Sequence, residues 1–162
     1  MIGARTASRE LALQVLYARE LAEDDPVEVA EEAFLASEVP EKVRRHARTL
    51  VDGVLANLVQ LDEEIAATAD NWELKRLATI DRNVLRLALY EMLHVEDVPA
   101  RVAINEAIEL GKRFSTKQSG GFVNGVLDAL RRRHDLPAGD APALEPEGDE
   151  PARELRPPTE PA

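Results

Sequence analysis

The sequence predicts an all-α fold of two small helical bundles packed together, on three observations. Leucine, alanine, glutamate and arginine recur at helical spacings through the first 134 residues, no stretch sustains a period-two alternation, and prolines in that region stand only at positions 26, 40 and 99. These features place helices near 4–22, 27–37, 41–59, 61–69, 73–78, 80–94, 100–114 and 119–134.

The first helix carries Leu11, Val15, Ala18 and Ala22 on one stripe and Leu13, Leu16, Tyr17 and Leu21 around the rest, so it lies between other helices. Pro26 and Pro40 open the second and third, because a first-turn proline sacrifices no helical hydrogen bond. Asp62, Glu63 and Glu64 are expected in the first turn of the fourth, where negative charge meets the positive end of the helix dipole. A short helix at 73–78 leads to "IDRNVLRLALYEML", apolar on one side through Ile80, Val84 and Leu87 and on the other through Leu85, Leu89 and Met92. Two helices enclosed in this way suit a pair of packed bundles better than one open four-helix bundle. Pro99 then separates "ARVAINEAIELGKRF", whose Val102, Ile104, Ala107, Ile108 and Leu110 face inward. The last helix ends in Arg131, Arg132 and Arg133, which complement the negative dipole end, with Asp128 in reach of the first two.

Seven of the ten prolines fall after Leu136, in a stretch with few leucines and no aromatic residue. Such a segment has too little apolar surface to offset its ordering entropy, so the expected organisation is a helical domain over 1–134 and a disordered acidic tail over 135–162. The tail carries eight acids and two arginines, which accounts for −6 of the net charge of −11. The remaining −5 over 134 residues is mild enough to coexist with a local basic patch, so charge alone does not exclude RNA.

Other classes are easier to exclude. There is no cysteine, hence no disulfide, thiolate metal site or cysteine nucleophile. His46, His94 and His134 share no metal-ligand spacing, so neither a metal nor a cofactor is expected. No apolar run approaches the roughly 20 residues that cross a bilayer, and the N-terminus lacks the apolar centre of a signal peptide, which makes the cytoplasm the default location. Paired acids in an apolar setting, a nucleophile beside a base and a glycine-rich cofactor turn after a strand are all missing, so no enzyme is expected.

Two stretches could meet RNA. In "ARTASRE", Arg5 and Arg9 stand one helical turn apart beside Ser8, and guanidinium forks pair with phosphate oxygens. In "KQSGGFVNGV", Lys117, Gln118 and Ser119 lead into two glycines and Phe122, which sits at the edge of the core stripe formed by Val123, Val126, Leu127 and Leu130. An aromatic ring at a helix start can stack on a base while backbone amides near Gly120 and Gly121 meet a phosphate, with Asn124 on the same polar side. A purely structural reading is also available: Ser119 caps the helix, and Gly121 and Gly125 let a neighbouring helix approach. The glycine spacing is also that of a phosphate loop, but valine stands where the lysine is required, which excludes nucleotide hydrolysis.

Taken in order, "RELALQVLY", "DRNVLRLALYEM", "DVPARVAINEAIELGKRF" and "FVNGVLDAL" resemble the NusB family of bacterial transcription antitermination factors, over about Arg5 to Leu130. The resemblance implies an all-helical fold in two subdomains, no catalysis, and binding of the boxA element of nascent ribosomal transcripts with the ribosomal protein NusE, in a complex on RNA polymerase. It assigns RNA contact to Arg5, Ser8, Arg9, Lys117, Gln118, Ser119, Gly121, Phe122 and Asn124, and partner contact to Glu73, Arg76, Asp81 and Arg82. This chain has fewer N-terminal arginines than many members, and Gly121 stands where a basic residue is frequent, so weak intrinsic RNA affinity is expected. A similar helical domain precedes the catalytic part of some ribosomal RNA cytosine methyltransferases, and a protein-only scaffold is a further alternative. An apolar face serves a second copy as well as a partner, which leaves monomer and homodimer both open.

Overall fold

The computed structural model describes residues 3–68 and 77–137 and holds seven helices among them. They are α1 (Ala4–Glu20), α2 (Pro26–Ala36), α3 (Glu41–Ala56), α4 (Leu58–Thr68), α5 (Thr79–His94), α6 (Ala100–Phe114) and α7 (Ser119–Arg133). Residues 73–76 of the helix expected at 73–78 and the segment after Pro137 lie outside the described residues, while Leu77 and Ala78 are not helical and lead into α5.

Helices α1, α2 and α3 pack as one bundle and α4 to α7 as a second, with α5 touching α1 and α3 across the junction. The two-sided apolar pattern of α5 has this cause: Val84, Leu85, Leu87, Ala88, Leu89 and Met92 are all buried. In α1 the same holds for Leu11, Ala12, Leu13, Val15 and Leu16.

Local chemistry sets the helix ends. The Asp25 carboxylate accepts from the Val27 amide at 2.9 Å, capping α2 one residue before Pro26. The end of α7 carries a Schellman turn: Asp135 adopts φ 51°, its amide donates to the Arg132 carbonyl at 3.0 Å, and the Leu136 amide donates to the Arg131 carbonyl at 3.0 Å. Leu136 packs on the core, so ordered chain extends past the expected boundary at residue 134.

The acids expected to open α4 do something else. Because α4 begins at Leu58, Asp62 and Glu64 lie in mid-helix, where Asp62 receives both arms of Arg86 at 2.6 and 2.8 Å and Glu64 meets His134. Ser119 does not cap α7 either. It is buried in the first turn, and its hydroxyl accepts from the Thr116 amide at 3.2 Å, which closes the α6–α7 turn.

Gly53 lets α3 and α5 close on one another, since a Cβ there would fall 2.1 Å from the Tyr90 ring, which is itself stacked on His94. Gly53→Ala is therefore expected to lower stability by about 1–3 kcal/mol, as overpacking does, and to cost less in a Tyr90→Ala background. A double-mutant cycle by urea denaturation measures it; equal cost in both backgrounds would mean that the glycine serves another purpose.

Candidate nucleic-acid interface

The expected RNA residues separate into those that the fold consumes and those that it leaves at the surface. Arg9 is consumed. Its guanidinium is only 4 % exposed and grips Glu91 of α5 with two arms, Nε to Oε1 at 2.8 Å and Nη2 to Oε2 at 2.9 Å. Glu106 of α6 approaches the third nitrogen at 3.8 Å. Val84, Leu87, Ala88, Ala103, Ala107 and Leu110 enclose the pair, leaving no room for a water molecule. Burial pulls the Arg9 pKa down, but the hydrogen bond and charge of Glu91, aided by Glu106, more than offset it and leave it above its ordinary value. The expected phosphate contact is corrected: a guanidinium already forked on a buried carboxylate offers nothing to RNA.

Ser8 is corrected for the same reason. It is buried, and its hydroxyl donates to the Ala4 carbonyl at 2.9 Å and the Val43 carbonyl at 3.1 Å, joining α1 to α3. Arg5 remains outside, half exposed, donating to His46 Nε2 at 2.7 Å and standing 3.8 Å from the exposed Asp97. Burial first, and then the Arg5 charge, push the His46 pKa below its ordinary value, in keeping with a ring nitrogen that accepts.

The second stretch stays largely at the surface. Lys117, Gln118, Gly121, Asn124 and Gly125 are exposed, whereas Ser119 and Gly120 are buried. Phe122 is half-buried against the rim of the core. The glycines divide by role. A Cβ on Gly120 would meet the Lys112 side chain at 2.9 Å and Ile108 at 3.4 Å, so Gly120 admits α6, and the Lys112 stem lies over it. Around Gly121 and Gly125 nothing lies within 4 Å of where a Cβ would stand. The helix–helix approach expected there is thus absent among the described residues. With Asn124 between them at helical spacing, they form an exposed strip of bare backbone beside Phe122.

Near the same loop, Arg113 at the end of α6 pairs with Glu10 of α1. Sequence reasoning passed over other cations. Lys42, Arg45 and His46 project from one face of α3 toward Arg5, a pattern visible only as spacing in "EKVRRHART". Of the partner residues, Glu73 and Arg76 lie outside the described region. Arg82, part-buried, pairs with Glu20 of α1 at 2.8 Å and donates to the Leu77 carbonyl at 3.1 Å. Asp81 is half-buried with one carboxylate oxygen unbonded among the described residues. No group of three potential metal ligands, and no helix long and apolar enough to cross a membrane, occurs among the described residues.

Comparison with known proteins places this arrangement. The NusB family model matches residues 6–132. The transcription antitermination protein NusB of Chloroherpeton thalassium is 46% identical over 130 residues, 80% of this chain and 62% of that longer relative. The Myxococcus xanthus protein of the same name is 44% identical over 133 residues, covering 80% of this chain and 95% of the relative. A crystal structure of the antitermination factors NusB and NusE in complex with dsRNA aligns with TM-score 0.72 and 26% identity over 82% of this chain and 99% of that one.

The buried pair carries its own test. Arg9→Ala or Glu91→Ala alone is expected to cost about 3–5 kcal/mol, because each strands a charge in the core, whereas Arg9→Met with Glu91→Leu is expected to be nearly neutral. Chemical denaturation decides. An Arg9→Ala protein of unchanged stability would return this arginine to the surface.

Proposed function

The chain belongs to the NusB family of transcription antitermination proteins, and from that premise we propose that it binds the boxA element of nascent RNA jointly with the ribosomal protein NusE, as part of an antitermination complex on RNA polymerase. The observation that carries the reading is the strip Gly121–Asn124–Gly125 beside Phe122. Each glycine inside a helix costs about 1 kcal/mol relative to alanine. Close packing offsets that cost at Gly120 but not at Gly121 or Gly125, where open space lies beyond the backbone. A surface kept bare at the expense of helix stability makes sense if a ligand backbone comes against it.

The chemistry then follows. The Phe122 ring, half-buried against the rim of the core, is the group assigned to stack on an unpaired base. Asn124 presents an amide for base edges or ribose hydroxyls, and the exposed Lys117 and Gln118 flank the approach. The sequence supplies little positive charge here, which fits a protein whose partner contributes part of the phosphate contact. Support for NusE as that partner is the solved complex of the related factors with dsRNA. On the side of α5, the half-buried Asp81 remains the candidate for partner contact among the described residues.

Gly125→Ala should raise thermal stability by about 0.5–1 kcal/mol and simultaneously weaken boxA binding, a combination of signs that a packing role cannot produce. Phe122→Ala should weaken the RNA complex by roughly one to two decades, since stacking contributes about 1–3 kcal/mol per base. Fluorescence anisotropy of labelled boxA RNA, with and without NusE, beside melting curves of the same proteins, measures both. Undiminished RNA affinity in both variants would remove α7 from the interface.

A further inference from the structure

Between the first turns of α1 and α3 lies a cavity of about 370 Å³ that the function above does not use. Its lining includes Arg5 and Ser8 from α1 and Lys42, Arg45, His46 and Thr49 from α3, and no acid. We propose that this cavity holds phosphate groups of the RNA backbone, gripped by Arg5, Lys42 and Arg45, as an extension of the α7 surface. The proposal rests on the RNA-binding reading given above.

The cations themselves are the first argument. The chain has 31 acids against 20 lysines and arginines, so internal partners are plentiful. The other arginines of α3 have found them: Arg44 bonds Glu41 and the carbonyls of Phe34 and Ser37, and Arg48 holds Glu31 while lying over the Phe34 ring. Among the described residues Lys42 and Arg45 make no ion pair. Lys42 also stands in the first turn of α3, where the helix dipole disfavours positive charge. A bound anion would supply both cations with the partner that the fold does not give them and offset the dipole at Lys42.

Geometry is the second argument. Lys42, Arg45, His46 and Thr49 follow the i, i+3, i+4, i+7 pattern that puts side chains on one helical face. Arg5 comes from the facing helix, and the Ser8 hydroxyl bonded to the Val43 carbonyl fixes the spacing between the two. The site is thus assembled before any ligand arrives, which spares the ordering cost of binding. Guanidinium groups pair bidentately with phosphate oxygens, and the volume lies at the lower end of pockets that hold a small molecule.

His46 supplies the third. Arg5 Nη1 stands 2.7 Å from its Nε2, a contact that keeps the half-exposed Arg5 at the rim of the cavity. The charged groups around this ring are Arg5, Arg9, Glu91 and Asp97, with Lys42 and Arg45 sharing the cavity. A phosphate drawn in among them would compete with the imidazole for Arg5 and favour a protonated His46, which could then donate to it. Helix α1 also reaches α6 through side chains, Thr6 to Glu106 and Glu10 to Arg113, while its Arg5 and Ser8 border the cavity.

The test uses the full chain and its double variant Lys42→Ala/Arg45→Ala, both exposed sites whose loss leaves the fold intact by circular dichroism. Two probes are applied: a short single-stranded boxA RNA by anisotropy across a salt series, and inorganic pyrophosphate followed through the His46 ring proton signals by NMR. The expected result is a salt slope lower by about 1.4 in the double variant, for two lost single-strand phosphate contacts, with Phe122→Ala leaving the slope unchanged. Pyrophosphate should shift His46 in the parent and not in the double variant. An unchanged slope in a double variant that binds RNA overturns the cavity and leaves the α7 reading standing. A parent chain that ignores RNA both alone and beside NusE overturns that reading, and in that case a pyrophosphate response shows an anion site for some other phosphate ligand, which overturns its assignment to RNA. No response to either probe overturns both.

Discussion

The fork between Arg9 and Glu91 is the constraint on which the rest of the structure depends. Removing two charges from water costs several kcal/mol per ion, and their attraction recovers it only when the geometry is good and the remaining polar atoms are satisfied. Here the fork is two-armed, and Glu106 faces the remaining nitrogen while accepting from Thr6 at 3.0 Å. The net gain in stability over an apolar pair is small on this reasoning, so what the fork contributes is orientation. With Arg9 turned inward, Ser8 is directed onto α3 and Arg5, one turn earlier, is left at the rim beside His46. One buried contact in the core thereby decides which cations of α1 reach solvent.

A second network does the same for the opposite end of α1. Glu20 accepts from Asn83 at 2.9 Å and pairs with Arg82 and Arg86, while Arg86 forks onto Asp62 of α4. Burial lowers the Arg86 pKa, but the Asp62 hydrogen bond and charge, with Glu20, more than compensate. Two arginine-centred clusters, one near each end of α1, thus join the two bundles by charge where apolar contact alone would permit sliding. Apolar faces tolerate a shift of a fraction of a turn. A fork between guanidinium and carboxylate does not.

The fold was largely legible in the sequence, because period and punctuation report burial directly. The two-sided apolar patterns of α1 and α5 located the central helices, and the prolines at 26, 40 and 99 fell at or just before helix starts. What stayed illegible was the destination of charge. Arg9 lies one turn from Arg5 and reads as its twin, yet one is buried and the other half exposed, since the partner that distinguishes them, Glu91, is 82 positions away. Asp62 seemed a first-turn acid until the start of α4 three residues earlier than expected put it opposite Arg86. The glycines show the same limit: Gly120 and Gly121 are adjacent and chemically identical, but only the first meets a neighbouring helix. Helical phase distinguishes such residues only after the rotation of the helix is known, and in α7 the burial of Val123, Val126, Leu127 and Leu130 sets that rotation.

The candidate interface then follows from subtraction. Ion pairing inside the domain withdraws Arg9, Arg82, Arg86 and Arg113 from the surface, so a chain that looks moderately supplied with arginine presents few of them to a ligand. Lys42 and Arg45 are two cations without an ion pair among the described residues, side by side on one face of α3, and in α7 the backbone at Gly121 and Gly125 remains uncovered. Neither feature adds stability to the isolated protein: a cation in the first turn of a helix, as at Lys42, and a glycine inside one, as at Gly125, both subtract from it. The acidic balance of the whole chain sharpens the contrast, because long-range repulsion discourages nonspecific contact with nucleic acid everywhere except where local charge is positive. Sites that cost the free protein stability and have no internal compensation are where an external ligand supplies the missing interactions.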